Sequence, residues 1–247
     1  MNMVYFSNVL IAFSITANIL FAFPMLARRF GLIDVPDQRK QHQDEIPLIG
    51  GIAMFSSFVL AVLLIDPLLS GIRSLVAGAV ILIAIGIWDD IREISHRVRF
   101  TIEIVIALLV SIGGGTILHD LGAIGWNTGY ISLWIFAVPL TVFAMVGVIN
   151  ALNMSDGMDG LAGGLVLVTL SALALITWEK GLEQQLWLLL LLIAVVMAFL
   201  CFNLRFLGRP HALVFMGDAG STFLGFILAW FMINLSQGEQ RAMTPVT

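Results

Sequence analysis

Three acidic segments of the chain contain the side chains best suited to chemistry. Asp89 and Asp90 are adjacent. Asp156 and Asp159 stand three residues apart in a glycine-rich stretch, and Asp218 follows Phe-Met-Gly. Each segment lies where a long apolar run ends or begins, and an ionised carboxylate there is unfavourable unless a cation compensates its charge. The pattern therefore predicts a cation-dependent site on one face of a membrane.

The composition is that of an integral membrane protein. The 247 residues are 60% hydrophobic and 11% charged, with a mean hydropathy of +1.01. Soluble domains are typically about 45–50% apolar and about 25% charged, so a soluble globular protein is excluded. The single cysteine, Cys201, offers neither a disulfide nor a pair of metal ligands.

The apolar runs predict the architecture. A spanning helix needs about 20 apolar residues, and the run 4–26 is too long for a signal-peptide core. Eight runs are long enough or nearly so: 4–26, 48–65, 70–88, 100–118, 130–150, 161–178, 186–203 and 220–236. We expect an all-α, polytopic transmembrane helix bundle of about eight spans, with residues 1–247 forming a single integral membrane domain.

Basic residues in the loops predict the orientation. If the spans alternate, the loops 27–47, 89–99, 151–160 and 204–219 share one side, which holds nine of the twelve Lys and Arg residues. The excess of positive charge marks that side as cytoplasmic. Asp89, Asp90, Asp156 and Asp218 lie on the same side, as a site for an anionic, metal-bound substrate would require.

The first cytoplasmic loop and the helix after it offer phosphate contacts. Arg39, Lys40 and His42 could hold phosphates, and Gly50-Gly51 opens a helix whose free N–H groups favour anions. The alternative is a positively charged anchor followed by a turn. Asp89 and Asp90 could bind Mg²⁺ together with substrate phosphates, or accept a proton. Otherwise they are a solvated helix end.

The glycine-rich stretch and the segment around residue 218 contain the remaining candidates. In a helix, Asp156 and Asp159 would share a face, and Asn153 adds an amide oxygen; the alternative is a glycine helix-packing face. Asp218 is either a metal ligand or an N-terminal helix cap. Glu103 could pair with Arg99 at four-residue spacing or face the cavity.

Taken in order, these motifs resemble the polyprenyl-phosphate N-acetylhexosamine-1-phosphate transferase family. The resemblance covers the whole chain. Its most specific parts are Asn150-x-x-Asn153-Met-x-Asp156-Gly-x-Asp159-Gly-Leu and Phe215-Met-Gly-Asp218-Ala-Gly-Ser-Thr. The segment from Pro36 to Gly51 is more similar to the N-acetylglucosaminyl branch than to the branch that makes the cell-wall lipid I.

The resemblance implies a reaction and its setting. Undecaprenyl phosphate would attack the β-phosphorus of UDP-GlcNAc, taking GlcNAc-1-phosphate and releasing UMP, with Mg²⁺ or Mn²⁺ as cofactor. This is the first membrane step of O-antigen, lipopolysaccharide or related surface polysaccharide synthesis, on the cytoplasmic face of the bacterial inner membrane. The partners are the bilayer and the two substrates, with no nucleic acid. The exact N-acetylhexosamine and homodimer formation stay open.

The resemblance also implies residue roles. The expected metal ligands are Asp218 and Asn153, and the expected catalytic residues are Asp89, Asp90 and Asp156. The expected substrate-binding residues are Gly157, Met158, Asp159, Phe215, Asn203, Arg39, Lys40 and Arg209.

One departure from the family pattern suggests alternatives. The family continues beyond the region of residues 236–247 with further spans and a His-rich cytoplasmic loop, so we expect a C-terminally truncated chain with weakened binding and very low turnover, or an inactive remnant.

Two other classes of membrane protein fit the motifs less well. A CDP-alcohol phosphatidyltransferase needs Asp-Gly-x-x-Ala-Arg, whereas Asp156-Gly157 precedes Met-Asp-Gly-Leu. An ion-coupled transporter would place its acidic residues at mid-membrane, whereas the acidic segments here stand at the ends of apolar runs.

Overall fold

The bundle is almost entirely helical. The structure, a computed structural model, describes residues 3–34, 45–65, 71–123, 130–205, 211–238 and 241–245. It is 76% helical, which confirms the all-α prediction. Within those ranges the α-helices are α1 (Met3–Ala22), α2 (Pro24–Phe30), α3 (Gly50–Ile65), α4 (Ile72–Ile91), α5 (His96–Leu108), α6 (Ala137–Ser155), α7 (Leu161–Glu179), α8 (Glu183–Asn203) and α9 (Gly217–Ser236). Two short strands, β1 (Ile33–Asp34) and β2 (Ile46–Pro47), pair antiparallel.

The predicted number of eight spans is not confirmed. Five helices are long and apolar enough to cross a membrane (α4, α6, α7, α8 and α9), and α1 with α2 makes a sixth if the bent pair is one span. The other two predicted spans are shorter helices, because α3 has 16 residues and α5 has 13. α5 begins with several polar and charged side chains and passes at Leu109 into a five-residue π-helix.

A proline explains the bend in the first predicted span. α1 ends at Ala22, α2 begins at Pro24, and their axes differ by 58°. Proline has no N–H to donate and its ring clashes with the preceding turn, whereas the first position of a helix tolerates it. The run 4–26 is therefore two helices.

α9 is the central helix of the bundle. Of its membrane-spanning window, 89% is buried inside the protein, against 33% for α4 and for α6. Small residues allow this close packing: a side chain at Gly86 of α4 would collide with the backbone of Ala219, and a Cβ on Gly225 would lie 2.8 Å from the Cα of Ile149. The approach of these backbones fixes where the first turn of α9 lies relative to α4 and α6.

We predict that Gly86→Ala destabilises the bundle, since its new methyl group would meet backbone atoms that cannot move aside. The expected loss is about 1–3 kcal/mol, seen as a lower midpoint of thermal unfolding in detergent. Gly147→Ala in α6 is the matched control, because nothing lies within 4 Å of a Cβ there. Equal midpoints for the two variants would contradict the proposed packing.

Candidate active site at the acidic end of the bundle

The first turn of α9 lies where several other helices begin or end. Because successive helices run in opposite directions, the C-terminal ends of α4 and α6 and the start of α5 meet at this end of the bundle. They bring Asp89, Asp90, Asn153, Asp156 and Asp218 together, as the sequence predicted. We call this set, with Arg99, the acidic cluster.

Asp90 caps α9 from a neighbouring helix. Its carboxylate oxygens accept hydrogen bonds from the backbone N–H groups of Asp218, at 2.8 Å, and Ala219, at 3.3 Å. Gly217, at φ +72°, makes this possible, because a Cβ there would stand 2.6 Å from the Asp90 carboxylate. The alternative that Asp218 is the cap is therefore wrong: Asp90 satisfies these N–H groups, and the Asp218 side chain points elsewhere.

Arg99 bridges the acidic residues of three helices. Its Nη1 donates to Asp89 at 3.1 Å and to Asp218 at 3.0 Å, and its Nε donates to Glu103 at 3.4 Å. Asp89 also accepts the backbone N–H of Ile94 at 2.7 Å. Asp89 is thus not a solvated helix end. Of the basic side chains in the described segments, only Arg99 pairs with these three carboxylates.

A second layer of polar groups supports this bridge. Glu103, which is only 1% exposed, accepts hydrogen bonds from Arg99 and from the amide of Asn150. The predicted pairing with Arg99 at four-residue spacing is therefore confirmed. The Asn153 amide nitrogen donates to Asp218 Oδ1 at 2.5 Å and to Ser221 Oγ at 2.8 Å.

Asp156 is the carboxylate of the cluster that no hydrogen bond engages within the described segments. It lies just after the end of α6 and is half-buried. Burial first, and then repulsion by Asp218, Asp90 and Asp159, raises its pKa from 3.8 to about 7. At neutral pH the group can therefore either hold or accept a proton.

Asp159 has its hydrogen-bond partners outside the cluster. The two aspartates were expected to share a helix face, but α6 ends at Ser155 and residues 156–160 form a turn, so that prediction is wrong. The Asp159 carboxylate instead accepts hydrogen bonds from Arg205 Nε at 2.7 Å and from the backbone N–H of Ala212 at 3.2 Å. It ties the α6–α7 turn to the segment that follows α8.

Asn203 braces the same region. Its side chain is buried, donates to the carbonyl of Val214 at 2.9 Å and accepts the N–H of Gly160 at 2.7 Å. Both functions of its amide are used by backbone groups. In this structure Asn203 therefore positions the loops around the cluster, and its predicted contact with substrate stays a prediction.

The other predicted substrate residues lie around this end of the bundle. Gly157 and Met158 are exposed in the turn beside Asp156, and Phe215 is half-buried just before α9. The N–H groups of Gly50 and Gly51 donate to the carbonyls of Phe215 and Met216, so they are not free for an anion as expected. Arg39, Lys40, His42 and Arg209 lie outside the described residues.

The sequence reasoning missed Arg99 as a central residue and Ser221 as a partner of Asn153. Spacing indicated only the local pair of Arg99 with Glu103, four residues apart. The contact with Asp218 joins residues 119 positions apart. No local pattern indicates such a contact, although an arginine beside a buried acid is a signal that its charge needs partners.

The acidic cluster is not a preformed cage for a metal ion. In the segments that the structure describes, no three His, Cys, Asp or Glu side chains form a metal-binding group. A cavity of about 600 Å³ opens elsewhere, beside Leu20, Glu45 and His211. We take the acidic cluster as the candidate site, because its carboxylates converge and carry uncompensated charge, whereas the cavity lining does not.

Comparison of the sequence with known proteins identifies its family. Residues 72–236, which contain the whole acidic cluster, match the model of glycosyl transferase family 4. The chain belongs to glycosyl transferase family 4.

Curated relatives in this family carry more specific names. The undecaprenyl-phosphate alpha-N-acetylglucosaminyl 1-phosphate transferase of Escherichia coli (strain K12) is 36% identical over 248 residues, covering 100% of this chain and 67% of the relative. The probable undecaprenyl-phosphate N-acetylglucosaminyl 1-phosphate transferase of Bacillus subtilis (strain 168) is 36% identical over 210 residues, covering 83% of this chain and 55% of the relative. The chain thus spans about two thirds of the length of the Escherichia coli enzyme.

We predict that Asp156→Asn stabilises this family member at high pH. The folded-state pKa of Asp156 is raised, so the folded state holds the proton more tightly, and stability falls as pH rises from about 4 to 7. At pH 8 the asparagine variant should gain about 1–2 kcal/mol, less than the full shift because the carboxylate is only partly buried and solvent screens it. The gain should vanish near pH 4.

Thermal unfolding of detergent-solubilised protein across this pH range measures the effect, without added divalent ions. Glu179→Gln, an exposed site at the far end of α7, is the control and should follow the wild-type curve. A constant difference between Asp156→Asn and wild type at every pH would show that the carboxylate does not titrate as described.

Proposed function

We propose that this chain transfers N-acetylglucosamine 1-phosphate from UDP-GlcNAc to undecaprenyl phosphate, releasing UMP. The membrane-embedded helices would admit a lipid acceptor, and the acidic cluster lies at a bundle end, where a water-soluble nucleotide sugar could meet that lipid's phosphate. The relatives' names support this reaction, since the match to them extends over the whole chain. The observation that carries the proposal is the convergence of Asp89, Asp90, Asp156 and Asp218 on one helix end.

We propose Mg²⁺ or Mn²⁺ as the cofactor at this cluster. Mg²⁺ prefers oxygen ligands and uses few protein groups, leaving positions for substrate phosphates. The donor set fits, because Asp218 and Asn153 supply a carboxylate and an amide oxygen, and carboxylates outnumber basic groups around them among the described residues. When bound, the ion would offset charge on the diphosphate and on the leaving UMP. Asp218 and Asn153 would hold it.

The hydrogen bonds suggest how the roles of the acids divide. Asp90 is committed to the N-terminus of α9 and Asp89 to Arg99 and Ile94, so both would act by holding the site in shape. Asp156 has no such commitment in the described part of the chain. With a pKa of about 7 it suits the removal of a proton from a singly protonated lipid phosphate, whose oxygen then attacks the β-phosphorus.

The basic loops support a cytoplasmic location for this end of the bundle. Most Lys and Arg residues stand in the loops predicted to share a side with Asp89, Asp156 and Asp218. Loops rich in basic residues usually lie in the cytoplasm. UDP-GlcNAc and the released UMP would then exchange with the cytoplasm. The enzyme would therefore act at the cytoplasmic face of the inner membrane.

The proposal predicts that Asp218→Ala abolishes UMP release. Membranes containing the chain would be incubated with UDP-GlcNAc and undecaprenyl phosphate, and UMP would be measured. Loss of the carboxylate shared by Arg99 and Asn153 should lower turnover on the order of 100-fold or more. Glu179→Gln should keep wild-type activity. If Asp218→Ala and wild type release UMP equally well, the acidic cluster is not the active site.

A further prediction concerns the cation. Chelation by EDTA should remove UMP release, and excess Mg²⁺ or Mn²⁺ should restore it, whereas Ca²⁺ should restore it poorly because it favours a larger, more flexible ligand shell. Full activity in EDTA-washed membranes would contradict the cation proposal and leave the transfer reaction standing.

A further inference from the structure

Arg99 is only partly satisfied in a site crowded with negative charge. A guanidinium has five N–H donors. Nε and Nη1 use theirs on Glu103, Asp89 and Asp218, whereas Nη2 is buried and has no hydrogen-bond partner among the described residues. One positive charge faces three carboxylates. Acidic groups therefore outnumber basic ones around Arg99 in the described part of the chain.

Arg99 and Asn153 meet on the same oxygen of Asp218. Oδ1 accepts both the Nη1 of Arg99 and the amide nitrogen of Asn153. A cation held jointly by Asp218 and Asn153 needs the amide oxygen of Asn153, not its nitrogen, turned toward the carboxylate. Nη1 of Arg99 already engages one lone pair of Oδ1, so a cation bound at this oxygen would compete with Arg99 for it.

We propose that Arg99 is the counter-ion of Asp218 when no divalent cation is bound, and that a bound cation replaces Arg99 at this carboxylate. This inference rests on the cation site proposed above. Asp89 and Glu103 keep Arg99 in place after the exchange, because they bind it from α4 and from its own helix. The site is thereby kept assembled in its metal-free state, since Asp218 would otherwise face Asp89 and Asp156 without compensation. Arg99 is a positioning residue in this scheme.

Replacing Arg99 should tighten cation binding, which a purely structural role would not do. The probe is Mn²⁺, with free Mn²⁺ measured by electron paramagnetic resonance during titration of the detergent-solubilised chain. Arg99→Gln should bind Mn²⁺ on the order of fivefold more tightly than wild type, because a competing ion pair is removed. Arg99→Lys keeps the positive charge but lacks the planar guanidinium with its several donors. Its affinity for Mn²⁺ should therefore lie between those of wild type and Arg99→Gln. Arg99→Gln should also unfold at a lower temperature without Mn²⁺ and show the larger Mn²⁺-induced rise.

Arg92→Gln is the matched control for general electrostatics. Arg92 is exposed at the end of α4, two residues from Asp90, and its loss removes the same charge without touching Asp218. It should change the Mn²⁺ dissociation constant less than about twofold, as expected for a solvent-screened charge.

The outcomes separate the two proposals. If wild type binds Mn²⁺ and neither Arg99 variant binds it more tightly than Arg92→Gln does, the counter-ion role is refuted and the cation site stands. If no variant binds Mn²⁺, both are refuted. Tighter binding by Arg99→Gln or Arg99→Lys, including binding gained where wild type shows none, supports the exchange.

Discussion

The buried N-terminus of α9 is the constraint on which the acidic end depends. The first N–H groups of a helix have no partner within it, and inside a membrane protein an unsatisfied N–H is costly. Asp90 supplies the acceptor, but it belongs to α4, so it reaches these groups only if the two helices nearly touch. The contact of Gly86 with Ala219 and the absence of a side chain at Gly217 provide that proximity. The packing of α4 against α9, the capping of α9 and the position of Asp90 therefore depend on one another.

Once Asp90 is fixed, the other charges follow from the topology. Its neighbour Asp89 is placed beside Arg99, Asp218 lies on the turn that Asp90 caps, and the end of α6 adds Asn153 and Asp156. The positive end of the helix dipole offsets part of the negative charge, and Arg99 offsets more. Burial, and after it the repulsion by Asp218, Asp90 and Asp159, still raises the pKa of Asp156, so this carboxylate favours a proton or another positive charge. The site is thus assembled in a state that is ready to accept more positive charge.

The sequence predicted the grouping of the acids but not their connections. Alternating spans place the ends of α4 and α6 and the start of α9 on one side, so the residue positions alone indicated convergence. The capping of α9 by Asp90 and the binding of Asp218 by Arg99 are contacts between residues more than 100 positions apart, and these have no local signature. The expected helix across Asp156 and Asp159 failed for a related reason. Gly160, at φ +79°, lies in the turn, whereas Gly163 does pack closely against Leu200 of α8.

The opposite end of α9 shows that surplus acidity is not a general property of this bundle. There Arg241 donates to the carboxylate of Asp120 at 2.6 Å. The side chain of Gln237 accepts a backbone N–H of the same segment and donates to the carbonyl of Asp120. Burial alone would raise the pKa of Asp120, but the hydrogen bond and charge of Arg241 lower it below its ordinary value. One acid with one base forms a closed, neutral pair, which is what a purely structural contact requires. Within the described residues, the acidic cluster has several acids around one arginine, so a cation or a proton would be favoured there. That difference between the two ends of one helix is the strongest physical reason to assign function to the end that contains Asp218.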